Sequence, residues 1–419
     1  MNRKILEILK NNKLVVKVYS GLMNRIQQMN VSAEILEVRP ILCRAVSHPM
    51  KKKRMNLLVP SINSQNVYGG IATALSFYKK LCSALNCDCR VIVVDAAIDL
   101  SNMVEMEGFV LTDWKEESDE EKQLVDFSSR IDKTLAVGDK DYFMVTIWWT
   151  AYIIQQVIQW QAENYHLKRN PLLYFIQDYE PGFYAWSSKY LMAESTYKMD
   201  IDIMAVFNSK LLYDYFIKQG YQFYKAWYFE PVLNECLKRY LERNNNNLVR
   251  KKQILIYGRP GTARNAFELI LEALREWVKL QKDAGEWTIL SAGEEFADIA
   301  ISNQIKVHSV GKLTLDEYAK TMLESKIGIS LMVSPHPSYP PLEMSAFGMK
   351  VITNTYANKD LNGFNENIIS LNNCSAMNIA DNLHRLCQEP GEGTVKSNDE
   401  YFNEYVRWEE IIGDIIMIL

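Results

Sequence analysis

Short apolar runs alternate with amphipathic stretches along most of the chain, and each run has the length of a buried strand. Runs at residues 55–60, 90–94, 142–147, 172–176 and 203–207 predict strands in the first half, and the clearest helix between them covers 71–81. A second series at 254–257, 287–291, 306–310, 327–333 and 350–353 repeats the pattern, with a helix over 266–278. Strands that are apolar at nearly every residue belong to parallel sheets covered by helices on both faces. The pattern predicts an α/β chain of two domains, and 419 residues suffice for two cores.

Residues 237–252 are polar, with four asparagines in a row, and read as a linker between a first domain over 51–236 and a second over 253–394. Residues 1–50 read as a helical N-terminal extension, because Ile5, Ile8 and Leu9 recur at helical spacing among Lys4, Lys10 and Lys13. Such a helix either packs on the first domain or rests on a membrane surface, helped by the basic run at residues 51–54. Residues 395–419 end in an amphipathic helix with Trp408, Ile411, Ile412 and Ile415 on one side, expected to cross back onto the first domain.

Composition narrows the partners. With 47 basic and 51 acidic side chains the net charge is −4, so no basic field points to nucleic acid. Seven scattered cysteines, an odd number without a signal peptide, are expected to be thiols in a reducing, cytoplasmic compartment. The longest apolar run, residues 144–154, falls short of the roughly 20 residues that span a bilayer.

Candidate chemistry collects just past the strands, where doubly wound sheets hold their ligands. After the strand at 327–333 the chain reads SPHPSYPPLEM, and Pro340 and Pro341 preset the first turn of a helix. The amides of Ser338, Tyr339 and Leu342 are expected to point out of that turn unpaired and, with the helix dipole, to suit a phosphate. Glu343 on the same turn offers an acceptor for a sugar hydroxyl, and Gly348 closes the helix. In isolation the stretch is more simply a turn with an acidic residue. Gly69 and Gly70 follow the first strand and would admit a ligand to the backbone, but no G-x-G-x-x-G is present, which counts against a nicotinamide enzyme. In the second domain Arg259 and Arg264 flank the turn GRPGTARN, where two guanidinium groups could clamp a diphosphate. Gly293 ends the next strand, and Val310, Gly311 and Lys312 end the one after it. The first domain contributes QDYEPGF. Asp178 and Glu180 are its carboxylates, and Tyr179 and Phe183 its aromatics, beside Trp148 and Trp149 after another strand; these suit a sugar, unless a given tryptophan faces inward as core. Asp200 and Asp202 flank the start of a strand and read as structural, not metal-binding.

Together these motifs resemble those of the retaining nucleotide-sugar glycosyltransferases of the GT-B fold, family four, over most of residues 55–419. Arg259 and Arg264 sit five apart, as do the Arg and Lys of that family's phosphate motif. Gly69–Gly70 is similar to its amino-terminal glycine loop, Gly311 and Lys312 to its base-side loop, and Glu343 to the second glutamate of its E-x-E pair. QDYEPGF and SPHPSYPPLEM resemble, more narrowly, the rhamnosyltransferases of bacterial surface (S-layer) glycan assembly. One departure stands out: the first glutamate of the pair falls on Pro335, so the usual donor-sugar contact is missing.

The resemblance implies two facing Rossmann-like domains with a cleft between them and a C-terminal helix crossing back. It also implies transfer of L-rhamnose from dTDP-L-rhamnose to a rhamnose-containing glycan or lipid-linked glycan, with retention and with no cofactor or metal. Donor binding then falls to Gly69, Gly70, Gly293, Val310, Gly311, Lys312, Ser338, Tyr339, Pro340 and Glu343, with Arg259 and Arg264 stabilising the leaving diphosphate. Acceptor binding falls to Trp148, Trp149, Tyr179 and Phe183. The donor's own phosphate oxygen would take the acceptor proton, and Asp178 and Glu180 are the candidates should a protein base act instead. A UDP- or GDP-linked donor and a non-catalytic nucleotide-sugar scaffold are the alternatives.

Overall fold

The apolar runs form the central strands of two parallel sheets in a computed structural model of the chain, which describes residues 35–64, 66, 69–104, 106–243, 248–389, 392–393 and 408–419. The helix expected over residues 1–30 lies outside the described residues. Residues 1–40 and 41–419 are two separate compact units, and of the first only a turn at Leu36–Val38 takes regular form among its described residues. The sheets and helices belong to the second unit.

The first sheet comprises β1 (Arg54–Val59), β2 (Asp88–Val93), β3 (Val110–Thr112), β4 (Lys122–Asp126), β5 (Asp141–Val145), β6 (Leu172–Ile176), β7 (Ile203–Phe207) and β8 (Lys225–Tyr228). They lie in the order β8-β7-β6-β5-β1-β2-β4-β3, and every pairing is parallel. Its principal helices are α1 (Gly69–Leu85), α2 (Trp148–Tyr165), α3 (Ser188–Ser195) and α4 (Lys210–Lys218). After α5 (Glu235–Arg243) the second sheet takes β9 (Lys251–Gly258), β10 (Thr288–Gly293), β11 (Ile299–Ala300), β12 (Lys306–Gly311), β13 (Ser325–Ile329), β14 (Lys350–Asn354) and β15 (Ile368–Leu371). Their order is β11-β12-β10-β9-β13-β14-β15, parallel except for β11. Its helices are α6 (Phe267–Leu280), α7 (Leu315–Glu324), α8 (Tyr339–Ala346) and α9 (Ala376–Gln388).

Both sheets reverse direction of build at one strand. β1 lies between β2 and β5, and β9 between β10 and β13, so each sheet opens a crevice at the carboxyl ends of those strands. A last helix, α10 (Trp408–Ile418), joins the first domain as the resemblance implied. Ile411, Ile412 and Ile415 enter the core formed by β1, β2 and α1, and Trp408 meets Phe77 and Phe229 edge-on at 5.6 Å. Trp227 Nε1 donates to Asp414 at 2.9 Å and locks the helix from its polar side.

Three expectations need correction. Residues 237–243 are not linker but the body of α5: Leu237 and Leu241 sit one turn apart and pack with Leu233 against Leu255, Ala319 and Met322 of the second domain. Two leucines at i, i+4 are enough to bury a helix whose composition is otherwise polar. Residues 41–50 are likewise not helical extension, because Leu42–Ala45 forms a parallel ladder with Thr134–Val137. Nor does the whole basic run at 51–54 lie on a surface, because Arg54 is buried while Lys51, Lys52 and Lys53 are exposed. Lys52 pairs with Glu121 at 2.7 Å, and Lys53 donates to the Leu419 carbonyl. Among the described residues, no helix is long and apolar enough to cross a membrane.

Arg54 is buried because Asp141 is. The Asp141 carboxylate takes Arg54 Nε at 2.7 Å and Nη2 at 2.8 Å, Asn56 Nδ2 at 2.8 Å and the Gly138 amide at 2.7 Å, with Arg90 at 3.6 Å. Burial alone would raise this carboxyl, but Arg54 and Arg90 hold it below the usual carboxylate range. Asp141→Ala strands two buried guanidinium groups, so denaturant unfolding should show a loss of about 3–5 kcal/mol.

Candidate functional site

The second domain builds its side of the cleft on the close approach of two strand ends. A Cβ on Gly293 would stand 2.6 Å from the Gly258 carbonyl oxygen, and φ there is +136°, so only glycine fits. Gly293, expected at the donor, thus serves first as the floor of the turn after β9. The next residue, Glu294, holds that turn: its carboxylate accepts from the Gly261 amide at 2.6 Å, Thr262 Oγ1 at 3.2 Å and Arg259 Nε at 3.3 Å. Arg259 is therefore aimed by a carboxylate that its own strand does not carry. At the end of β12, Gly311 takes a left-handed φ of +63°, Val310 is half-buried against the core, and Lys312 reaches across to the Ser64 carbonyl of the first domain at 3.3 Å. Burial and then Arg259 lower the Lys312 ammonium below its ordinary value, which places the two cations in one field.

The loop from β13 to α8 is pinned from beneath. Asn354, last residue of β14, accepts from the Met332 amide at 2.7 Å and donates to its carbonyl at 3.0 Å, and buried Lys359 donates to the same carbonyl at 2.6 Å. The Ser338 amide does not point outward unpaired, as expected, but donates to His336 Nδ1 at 3.0 Å; Ser338 holds a φ of +70°. The turn closes on its own side chain because an imidazole two residues upstream satisfies the amide without a ligand. Tyr339 is half-buried at the helix start, Pro340 is buried behind it, and Gly348 ends α8 with a φ of +79°. Glu343 is half-buried on the first turn. Burial lifts its carboxyl to about 7, with a hydrogen bond from Tyr318 pulling the other way.

The first domain meets this loop through Asp178. It is 7% exposed and accepts from the Ser334 hydroxyl and the Tyr179 amide, and Arg264 Nε lies 3.4 Å from its second oxygen. The Arg264 guanidinium in turn stacks 4.1 Å over the Phe183 ring. Phe183 thus holds an arginine. Glu180 does not face the cleft: it is buried and accepts the amide of Trp148, the first residue of α2, and burial drives its carboxyl well above the usual range. Trp148 is a second correction, since it is fully buried with Nε1 donating to Tyr184 at 2.9 Å, and an indole enclosed this way cannot touch an acceptor. Trp149 is half-buried and donates to Asp95 at 2.9 Å.

Gly69 and Gly70 are the first turn of α1 and not a loop before it; a Cβ on Gly70 would strike Gln177 Oε1 at 2.1 Å, whereas Gly69 has open space. Tyr179 opens onto a cavity of about 570 Å³ shared with Tyr190, Tyr215, Tyr221, Glu194 and Lys198. Its hydroxyl lies 3.1 Å from that of Tyr221, which donates to Glu194 at 3.2 Å. Asp200 and Asp202 pair on the surface with Arg169 and Lys168 at 3.1 and 3.3 Å. Among the described residues, no cluster of three or more His, Cys, Asp or Glu is placed to hold a metal ion.

Sequence reasoning passed over Glu294, Ser334, His336 and Lys359. Glu294 follows a glycine at a strand end and could have been found by the rule that found Arg259. His336 stood inside a motif read for its prolines and serines. Lys359 carries no local signal, because it reaches the loop from 27 residues away.

Comparison with known proteins gives the following. The N-terminal domain family of WsaF matches residues 54–210, and the C-terminal domain family of WsaF matches residues 252–384. The O-antigen biosynthesis protein RfbC of Myxococcus xanthus is 32% identical over 215 residues, which are 51% of this chain and 15% of that protein. Sucrose-phosphate synthase of Thermosynechococcus elongatus superposes with a TM-score of 0.53 at 11% identity, covering 88% of this chain and 98% of the other. HepE of Anabaena, solved with UDP-glucose, gives 0.52 at 12% identity, covering 87% and 100%. These likenesses show the fold: GT-B, two Rossmann-like domains facing a cleft.

The Asp178 bridge makes a structural prediction. Asp178→Asn should speed amide exchange at residues 334–338 as followed by mass spectrometry, while Asp200→Asn leaves it unchanged; equal protection in both variants would show that the bridge does not hold the loop.

Proposed function

The chain belongs to the WsaF family and is a glycosyltransferase of the GT-B fold, and from that premise we propose that it transfers L-rhamnose from dTDP-L-rhamnose to a rhamnose-containing bacterial surface glycan, with retention and without a metal. The observation that carries the reading is the convergence of Arg259, Arg264 and Lys312 at the crevice of the second sheet, beside the first turn of α8. Two arginines from the turn after β9 and a lysine from the loop after β12 suit a nucleoside diphosphate. HepE, solved with UDP-glucose in the same fold, supports a nucleotide sugar as donor, and the name of RfbC supports a surface glycan as product.

The chemical task is to stabilise the departing diphosphate. As the bond from the sugar's anomeric carbon to the phosphate oxygen breaks, negative charge grows on the β-phosphate, and Arg259 and Arg264 are held in place to meet it by Glu294 and Asp178. Lys312 adds a third charge at the same edge. The acceptor hydroxyl attacks from the same face and passes its proton to the leaving phosphate oxygen. That route is favoured by the engagement of Asp178 with Ser334 and Arg264 and of Glu180 with the α2 amide, which leaves neither placed as a general base. Glu343 holds a ribose hydroxyl. The tyrosine-lined cavity onto which Tyr179 opens, together with Trp149, suits a glycan or lipid-linked glycan acceptor on the first domain.

Calorimetric titration of dTDP, UDP, GDP and dTDP-L-rhamnose tests the donor. Binding should be strongest for the thymidine ligands and lost in Arg259→Ala; preference for UDP or GDP would move the donor to another sugar nucleotide. In turnover, Arg259→Ala should cost on the order of 10²–10³ in kcat, as for loss of one charge-stabilising donor, and Asp200→Ala almost nothing. Manganese-dependent activity abolished by Asp200→Ala would overturn the metal-free assignment.

Glu343 sets a pH dependence. Its carboxyl ionises near 7, above the ordinary 4.5, so the carboxylate that accepts ribose hydroxyls forms only as pH rises through 7. Affinity for the nucleotide sugar should rise roughly tenfold between pH 6 and 8, and Glu343→Gln should flatten the profile. The free protein should show the matching cost, losing stability as pH rises from 4.5 through about 7, because ionising the carboxyl in place is harder than in the unfolded chain.

A further inference from the structure

His336 has no part in the mechanism above, yet its surroundings define it closely. It lies in the loop between β13 and α8 and is 5% exposed. Its amide donates to Ser334 Oγ at 3.0 Å, and Ser334 in turn donates to Asp178, so the backbone under the ring is tied to both domains. The Ser338 amide donates to Nδ1 at 3.0 Å. An amide donates only to a lone pair, so Nδ1 is unprotonated and the neutral ring carries its proton on Nε2. Burial, with Lys359 and Arg264 beside the ring and Asp178 opposing them, lowers the imidazolium to about 4, so the ring is neutral in the physiological range.

The tautomer leaves Nε2–H as a buried donor with no hydrogen-bond partner among the described residues. Buried donors are rarely left without an acceptor, and one in the loop that leaves β13 at the crevice of the second sheet invites a ligand oxygen. The ring sits 5.5 Å from that of Tyr339, which begins α8 at the cleft edge. Two kinds of ligand oxygen are available in a nucleotide sugar. The diphosphate has three cations to meet it, whereas a sugar hydroxyl is matched by a neutral donor that brings no charge into a buried site.

We propose that His336 Nε2–H hydrogen-bonds a hydroxyl of the transferred sugar, which makes His336 a determinant of which sugar the enzyme accepts. The proposal rests on the reading of this cleft as a nucleotide-sugar site. Its distinctive consequence is that His336 contributes to binding of the sugar and not of the nucleoside diphosphate.

The test compares His336→Ala with His336→Gln, whose amide nitrogen can stand where Nε2 stood, by calorimetric binding of dTDP and of dTDP-L-rhamnose, or of whichever diphosphonucleoside and matching nucleotide sugar the wild type binds. Thermal unfolding of each variant establishes that it is folded. His336→Ala should bind the bare diphosphate within about twofold of wild type but the nucleotide sugar roughly tenfold more weakly, and His336→Gln should recover much of the difference. Equal weakening of both ligands in the folded variants would mark a structural histidine, and unchanged binding of both would mean that no hydroxyl is contacted; either overturns the proposal. If His336→Ala does not fold, the ratio of the two affinities in His336→Gln decides by the same criteria. Wild-type protein that binds no nucleotide would instead overturn the donor-site reading and, with it, this proposal.

Discussion

A carboxylate buried between two domains has to be satisfied by both of them, and the cleft of this protein is organised around that requirement at Asp178. Its partners are a hydroxyl from one loop of the second domain and a guanidinium from another, Ser334 and Arg264. Removing any of the three leaves a buried charge or dipole uncompensated, so the arrangement fixes the loops relative to each other and to the first domain. Arg264 is held further by the Phe183 face beneath it. Arg264, carried by the second domain, is thus positioned by a carboxylate and a ring of the first.

The second constraint is backbone proximity. Parallel strands that end side by side at a switch point leave room for a ligand only if their own loops stay low, and a Cβ would strike Ser291 from Gly258 and the Gly258 carbonyl from Gly293. Glu294 then folds the turn after β9 over that floor and aims Arg259. On the other side of β9, Asn354 and Lys359 hold the loop before α8 through one carbonyl, that of Met332. The site is shaped by residues one layer behind it, so that the groups at its surface need little reorganisation when a ligand arrives.

Stability is supplied elsewhere. In the first domain Asp141 gathers Arg54, Arg90, Asn56 and a backbone amide at the opposite ends of the strands from the cleft, and α10 seals the core with three isoleucines and a tryptophan. Helix α5 does the same for the second domain. The cleft is left to carry strained and half-satisfied groups such as Ser338 and Glu343, which a stability-bearing region could not hold.

Local chemistry along the chain determined much of this. Strands buried on both faces are continuous apolar runs, so β6 and β7 were legible to the residue, and the turn residues that follow such runs marked Arg259, Arg264, Lys312 and the proline-initiated α8 as the cleft. The one-sided pattern of α10 announced a helix with a core to join. Which way each side chain of a loop faces is not a local property. Trp148 and Trp149 are neighbours in sequence, yet one is enclosed and the other half-buried, because α2 starts at Trp148 and Glu180, 32 residues away, holds the amide at that start. Ser334 meets Asp178 across 156 residues, and His336 acquires its tautomer only when the loop closes on itself. Periodicity encodes which face of an element is buried; the partner of a buried charge, and hence the geometry of the site, exists only once distant segments share one interior.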